Sequence, residues 1–332
     1  MTGAHVASLV SAVIVAGMRA CDESEPGSPD GGIASTDAGT SAADLVQTSS
    51  LPGVHDRVGL ADARGHLYVV GGRLDPALGN TRAEVFAAAI APDGRLGEWQ
   101  TTTRLPVPRL SHAVASDGRS LYVVGGCPLF CADGETEEMK RVFRGTLADD
   151  GSVAAWEESE PLPEPRNLHT AVVRGGFLYV LGGASMTTTW KARIGTDGRL
   201  GPWTADRPLL KPRKQHASLA VGPHLYVGGG NQQSPLTWWT DIEVSTFQPD
   251  GSLGAWTAIP GAEFLLEGDL AEYALAAESG RARTSYADLL PLSGERTQHV
   301  IEDRIYQVYR FQGFGPAPSV PDATPVVFLR FE

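Results

Sequence analysis

The run Leu121-Tyr122-Val123-Val124-Gly125-Gly126 occurs four times in this chain with small changes. The other copies are Leu67-Tyr68-Val69-Val70-Gly71-Gly72, Leu178-Tyr179-Val180-Leu181-Gly182-Gly183 and Leu225-Tyr226-Val227-Gly228-Gly229-Gly230. Each reads as a short buried strand that a glycine pair stops. At this spacing no unit buries its apolar face alone, so stacked neighbours must do it. That restricts the chain to a solenoid, a propeller or an array.

The repeating unit extends on both sides of the glycines. Upstream stand Leu105-Pro106-Val107-Pro108-Arg109 with His112, Leu162-Pro163-Glu164-Pro165-Arg166 with His169, and Leu209-Leu210-Lys211-Pro212-Arg213 with His216. The first unit aligns without a gap, with His55 in the arginine position and Val58 in the histidine position. Downstream each unit has an apolar strand, an Asp-Gly pair and a tryptophan at constant spacing: Trp99, Trp156, Trp203 and Trp256. Asp-Gly marks a hairpin, because glycine takes positive φ at little cost. Each unit of roughly 50 residues thus supplies four antiparallel strands, the pattern of a propeller blade.

These motifs resemble kelch repeats, from Leu51 to about Trp256. The resemblance implies an all-β propeller of four-stranded antiparallel blades. One departure is that the family's tyrosine between the glycines and the tryptophan is replaced here by Val, Ile or Phe. Beyond Trp256 the pattern fades. Five blades are expected, with Tyr286-Ala287 near the Leu-Tyr position, Val308–Gln312 as a third strand and Val326–Phe331 as the last. The alternative is six, with Ile305-Tyr306 as a Leu-Tyr copy and Leu45–Ser50 returning as an outer strand.

The first residues differ from the rest. Val6–Gly17 is apolar, too short to span a bilayer as a helix, and fits the central region of a secretory signal. It ends at Met18-Arg19-Ala20-Cys21, which resembles a bacterial lipoprotein signal and implies a lipidated Cys21. Two departures are the lack of Lys or Arg before the apolar run and Arg19 beside the small residue. Asp22–Asp44 is rich in Asp, Ser, Gly, Pro and Ala, lacks aromatics, and reads as a flexible tether. The organisation expected is therefore signal 1–21, tether 22–44 and propeller 45–332, on a lipid anchor in the bacterial cell envelope. Of three cysteines, Cys127 and Cys131 then remain, and a local disulfide between them is expected in an oxidising compartment.

The repeated residues admit two readings each. Arg109, Arg166 and Arg213 could hold a carboxylate at a channel mouth. Equally, they and His112, His169 and His216 could bracket strands inside each blade, the expected role for a residue repeated once per blade. The tryptophans read as packing between blades. No nucleophile elbow, metal-ligand spacing or phosphate loop is present in the sequence. With 27 Lys and Arg against 39 Asp and Glu, the net charge of −12 argues against nucleic acid.

The loops between second and third strands vary, so their face is the candidate binding surface. The fourth carries Asn231, Gln232 and Gln233, then Trp238 and Trp239, and the third adds Met186 and Trp190. Amides and an indole suit a sugar ring or a protein surface. At least one of Trp238 and Trp239 is expected to be solvent-accessible, the other opening the third strand. The function expected is that of a monomeric, membrane-anchored, non-enzymatic protein that binds a protein or glycan without cofactor or metal. The alternative is an exported carbohydrate-active enzyme of the mutarotase or epimerase type.

Overall fold

In the computed structural model of the protein, the described residues are 44–53, 57–73, 81–128 and 136–260, with strands 296–301, 304–309, 323–324 and 326–330. Among them are five four-stranded antiparallel sheets. Blade one is Gly59–Ala63, His66–Val70, Val85–Ala89 and Gln100–Thr102. Blade two is Ala113–Ser116, Ser120–Val124, Val142–Leu147 and Val153–Glu158. Blade three is Thr170–Arg174, Phe177–Leu181, Thr189–Arg193 and Thr204–Asp206. Blade four is Ala217–Val221, His224–Gly228, Ile242–Thr246 and Thr257–Ala258.

The second strand of each blade is buried on both faces, which explains its unbroken apolar run. Successive residues point to opposite neighbours. Tyr68 and Val70 pack with Leu121, Val123 and Phe143 of blade two, whereas Leu67 and Val69 pack with Leu51 and Phe86 on the other side. The core therefore lies between blades, not within them.

Two hydrogen bonds recur at each junction among blades one to four. The Tyr68 hydroxyl donates to the Gly151 carbonyl of the next blade at 2.6 Å, Tyr122 to Gly198 at 2.7 Å and Tyr179 to Gly251 at 2.8 Å. In return the tryptophan Nε1–H reaches back to the chain leaving the preceding blade: Trp156 to Thr103, Trp203 to Glu160 and Trp256 to Arg207. The tryptophans thus bridge blades, although only Trp156 lies inside its outer strand; Trp99, Trp203 and Trp256 stand just before theirs.

The glycine pair is forced by its neighbours. Gly125 and Gly126 both have positive φ, +59° and +77°. A Cβ on Gly125 would sit 2.6 Å from the Arg166 carbonyl oxygen, and one on Gly126 would sit 2.5 Å from His112 Cβ.

The fifth sheet joins the two ends of the chain. Its order is Asp44–Gln47, Val326–Arg330, Arg304–Tyr309, Arg296–Ile301. Its inner strand Arg296–Ile301 lies beside Gly59–Ala63 of blade one. Leu51–Pro52 pairs with Ala323–Thr324 as a second link. The expected strand assignment is corrected here. Val308 and Tyr309 end a second strand that contains Ile305 and Tyr306, and Val326–Arg330 is the third strand rather than the outermost. The outer edge is met instead by Asp44–Gln47 in register Leu45 to Leu329 and Val46 to Phe328, so Asp44 belongs to a strand and not to the tether. Trp99 confirms the neighbour relation: its Nε1–H donates to Ser49 just after that strand, as the other tryptophans do one blade on. Tyr286 and Ala287 lie outside the described residues.

This closure has a measurable consequence. A chain begun at Asp44 should remain soluble and cooperative, whereas one begun at Leu51 bares the Val326–Arg330 edge, a template for aggregation. Size-exclusion chromatography of the two truncations checks this; equal monodispersity would contradict it.

Candidate functional site

Connections between outer and inner strands share one face with the loops between second and third strands. Bridges Leu110–Cys127, Met186–Arg213 and Lys214–Asn231 sew the two sets together. The opposite face carries the Asp-Gly turns, which repeat one geometry: Asp150 Oδ1 accepts the Ser152 N–H at 2.9 Å, and Asp250 Oδ1 the Ser252 N–H at 2.9 Å. Uniform turns make a scaffold face, and the varied loops make the other the candidate site.

The repeated arginines lie beneath that site and are closed to a ligand. Arg109, Arg166 and Arg213 are each 0% exposed. Arg109 Nη1 donates to the Gly125 carbonyl at 2.6 Å, Arg213 Nη1 to Gly229 at 2.6 Å, and Arg166 Nη1 to Gly182. Their own carbonyls accept the second-glycine N–H of the preceding blade, Gly72 to Arg109 at 2.7 Å and Gly126 to Arg166 at 2.8 Å. Each arginine therefore clamps two blades; of the two readings, this burial fits the expected bracketing and not a carboxylate site at a channel mouth.

The charge of each clamp is balanced differently. Among the described residues, Arg109 meets only carbonyls and the Phe143 ring face, and burial, with Arg141 nearby, pushes it down to about 10. Arg166 pairs with Glu164, and Arg213 with Glu243 and Asp241. Burial pushes the Asp241 carboxyl up, but Arg213 and Lys211 outweigh it and hold it below the ordinary range. His112, His169 and His216 are buried against the glycines of the preceding blade. Burial first, then the adjacent arginine, pushes His112 and His216 down to about 3 and His169 well down.

Blade four departs from its neighbours. Its loop folds into a hairpin of its own, Asn231–Gln233 against Leu236–Trp238. Trp239 N–H closes the hairpin onto the Gly230 carbonyl at 2.9 Å. The third strand begins only at Ile242, so neither tryptophan opens it. Trp238 stands out from the hairpin, 66% exposed, with Leu236 equally exposed. Trp239 is half-buried; its Nε1–H donates to the Pro212 carbonyl at 2.9 Å and Lys211 Nζ lies 4.6 Å from its ring centre.

The amide candidates separate likewise. Asn231 is buried and donates to Gln215 Oε1 at 2.9 Å, so it anchors the hairpin instead of meeting a ligand. Gln233 is exposed and accepts from Lys214 Nζ at 2.7 Å, and Gln232 is half-buried. Trp190 is not a loop residue: it lies in the strand Thr189–Arg193, packs on the core between blades two and three, and donates to Glu164 Oε1 at 2.8 Å. Cys127 is buried and disulfide-bonded; Cys131 and Cys21 lie outside the described residues. Among the described residues, no group of three or more His, Cys, Asp or Glu could hold a metal ion.

The sequence reading missed two exposed apolar residues. Leu210, 51% exposed, takes the place of Pro106 and Pro163 in the Leu-Pro motif, a visible break in the repeat. Leu236 follows Ser234-Pro235, a turn signal that divides the loop into two strands.

No family model matches the chain. Kelch-like protein 38 of Danio rerio is 31% identical over 120 residues, 36% of this chain and 19% of that protein. Kelch-like protein 40a of Danio rerio is 30% identical over 155 residues, 44% of this chain and 24% of that protein. Alpha-scruin of Limulus polyphemus is 24% identical over 138 residues, 40% of this chain and 13% of that protein. The chain thus spans less than a quarter of the length of these relatives. The similarities and the four-stranded sheets together support a kelch-repeat propeller.

Proposed function

We propose that the protein is a non-enzymatic binding scaffold that takes a partner protein on its loop face, around the blade-four hairpin. One observation carries this reading. The exposed large apolar side chains among the described residues are Leu210, Leu236 and Trp238, and all three stand on that face beside blade four. Single exposed apolar residues are ordinary, but a rimmed group marks an interaction site. An exposed indole on a hairpin is also an efficient anchor, because tryptophan buries large area at small entropic cost.

Trp238→Ala tests the reading. Affinity capture with the intact chain should retain a partner that the variant loses, while stability stays within the range of a surface change, about ±0.5 kcal/mol. Asp197→Ala on the opposite face should retain it. Equal capture by all three proteins, or destabilisation of the kind a core truncation brings, contradicts the reading.

A glycan ligand is a second reading, favoured by the exposed Trp238 indole and the exposed Gln233 lying on the same face of the hairpin. Binding of an oligosaccharide array, lost in Trp238→Ala, would replace the protein partner.

The reading extends to placement. We infer export to the bacterial cell envelope, with a diacylglyceryl group on Cys21 and residues 22–43 as the tether. Mass spectrometry of the membrane fraction should show that adduct. A soluble, unmodified product cleaved elsewhere refutes it. The same inference pairs Cys127 with Cys131, for which peptide mapping without reductant is the check.

A further inference from the structure

The blade-four hairpin has a free strand edge whose direction follows from its bonding. Asn231 exchanges both backbone bonds with Lys214, N–H to O at 2.9 Å and O to N–H at 2.8 Å. Its backbone therefore points away from the hairpin partner Trp238, and the Asn231–Trp238 pair is a non-hydrogen-bonded one. The Gln233–Leu236 pair, two residues on, is of the same kind, and Gln233 N–H accordingly donates outward to Ser185 Oγ at 3.1 Å. It follows that the N–H and C=O groups of Leu236 and Trp238 point outward on the opposite edge. No described residue hydrogen-bonds them.

The side chains add chemistry to this edge. Leu236 and Trp238 project on one face, with their cross-strand partners Gln233 and Asn231. The Lys214 ammonium lies over Gln233, the partner of Leu236, and forms no ion pair with a described carboxylate. Lys211, by contrast, is neutralised by Asp241 at 3.1 Å.

We propose that the Leu236–Trp238 edge takes up an extended segment of a partner protein as a third strand, with an acidic residue beside Leu236 and an apolar one beside Trp238. The proposal rests on the loop-face reading above and deepens it. Backbone bonds to Leu236 and Trp238 supply affinity, and the alternate side chains supply selectivity. The acidic preference comes from Lys214. The net charge of −12 does not cancel it, because charges beyond a Debye length of about 8 Å are screened at physiological ionic strength. That same net charge opposes a second copy of this chain as occupant, since two whole surfaces of like sign would then meet.

The probe is the capped heptapeptide Thr-Val-Thr-Glu-Thr-Val-Thr, which presents glutamate flanked by valine two positions away in either strand direction. Its counterpart carries lysine in place of glutamate. Both are titrated into the intact protein by calorimetry. The glutamate peptide should bind, and the lysine peptide should bind at least about tenfold more weakly, with Lys214→Glu reversing the preference.

Trp238→Pro and Trp238→Ala remove the same indole, but only proline also removes the outward N–H. Proline is tolerated there because that N–H makes no ladder bond. Trp238→Pro should bind the glutamate peptide about tenfold more weakly than Trp238→Ala, at a similar melting temperature. Equal binding by the two variants overturns the strand-addition mode. So do failure of both peptides to bind wild type, a lysine-peptide preference, or a concentration-dependent dimer that Trp238→Pro abolishes. If these fail while Trp238→Ala still loses the captured partner, the loop-face reading stands and the strand mode alone falls.

Discussion

Arg213→Ala should cost about 3–5 kcal/mol of stability, the usual penalty for breaking a buried ion pair from one side. In thermal melts that is a fall on the order of 10 °C. Arg213 is wholly buried, and so is Glu243, whose Oε1 accepts from Arg213 Nε at 3.1 Å and Nη2 at 2.8 Å. Truncation strands that carboxylate and frees the Gly229 carbonyl, which accepts from Nη1. Asp241 keeps Lys211. The double variant Arg213→Met with Glu243→Leu should recover most of the loss, because it removes both charges. A loss below about 1 kcal/mol for Arg213→Ala would mean that the clamp carries little and that the arginine is free for another role.

Acidification should unfold the protein well before its carboxylates protonate. His112, His169 and His216 are held neutral by burial and by the arginine beside each. In the unfolded chain they protonate near pH 6.5. Below that value the unfolded state binds more protons than the folded one, so stability falls as pH falls. The contribution is complete above pH 6.5 and is lost progressively down to about pH 3, where His112 and His216 charge in the folded state. At pH 5.5 each histidine withdraws about 1.4 kcal/mol, or roughly 4 kcal/mol for the three. Urea melts at pH 7.5 and 5.5 check the sum. His216→Asn should reduce the pH-dependent loss by about a third. A flat profile across this interval would contradict the burial of the three rings.

The scaffold was legible because its rules repeat. Each apolar run is unbroken since both faces of a second strand are buried, and each Asp-Gly and glycine pair answers one backbone requirement. The junction bonds from Tyr68, Tyr122 and Tyr179 were not legible, because their acceptors are backbone carbonyls in the next blade, 72 to 83 residues away. The outer strand of the fifth sheet was visible only as an alternative. Asp44–Gln47 lacks the repeat's motifs and owes its place to an unpaired edge formed some 280 residues later.

At the candidate site, sequence located the loop but not the division of labour within it. Trp238 and Trp239 are adjacent and chemically identical, yet one is exposed and the other packs under Lys211. Their roles depend on the hairpin turn at Ser234 and Pro235, which shifts the alternation. Asn231 looks like a ligand amide until its pairing with Gln215 is seen. Leu210 carries no signal in what the repeats share; its signal is that one repeat departs from the Leu-Pro of the others.

The binding face is tested most directly by hydroxyl-radical footprinting of the intact protein with and without its captured partner. Trp238, Leu236 and Leu210 should lose reactivity in the complex, while Arg64 and Asp197 on the opposite face keep theirs. Protection of the Asp-Gly turn face, with Trp238 as reactive as before, would show that the partner sits on the other side of the propeller.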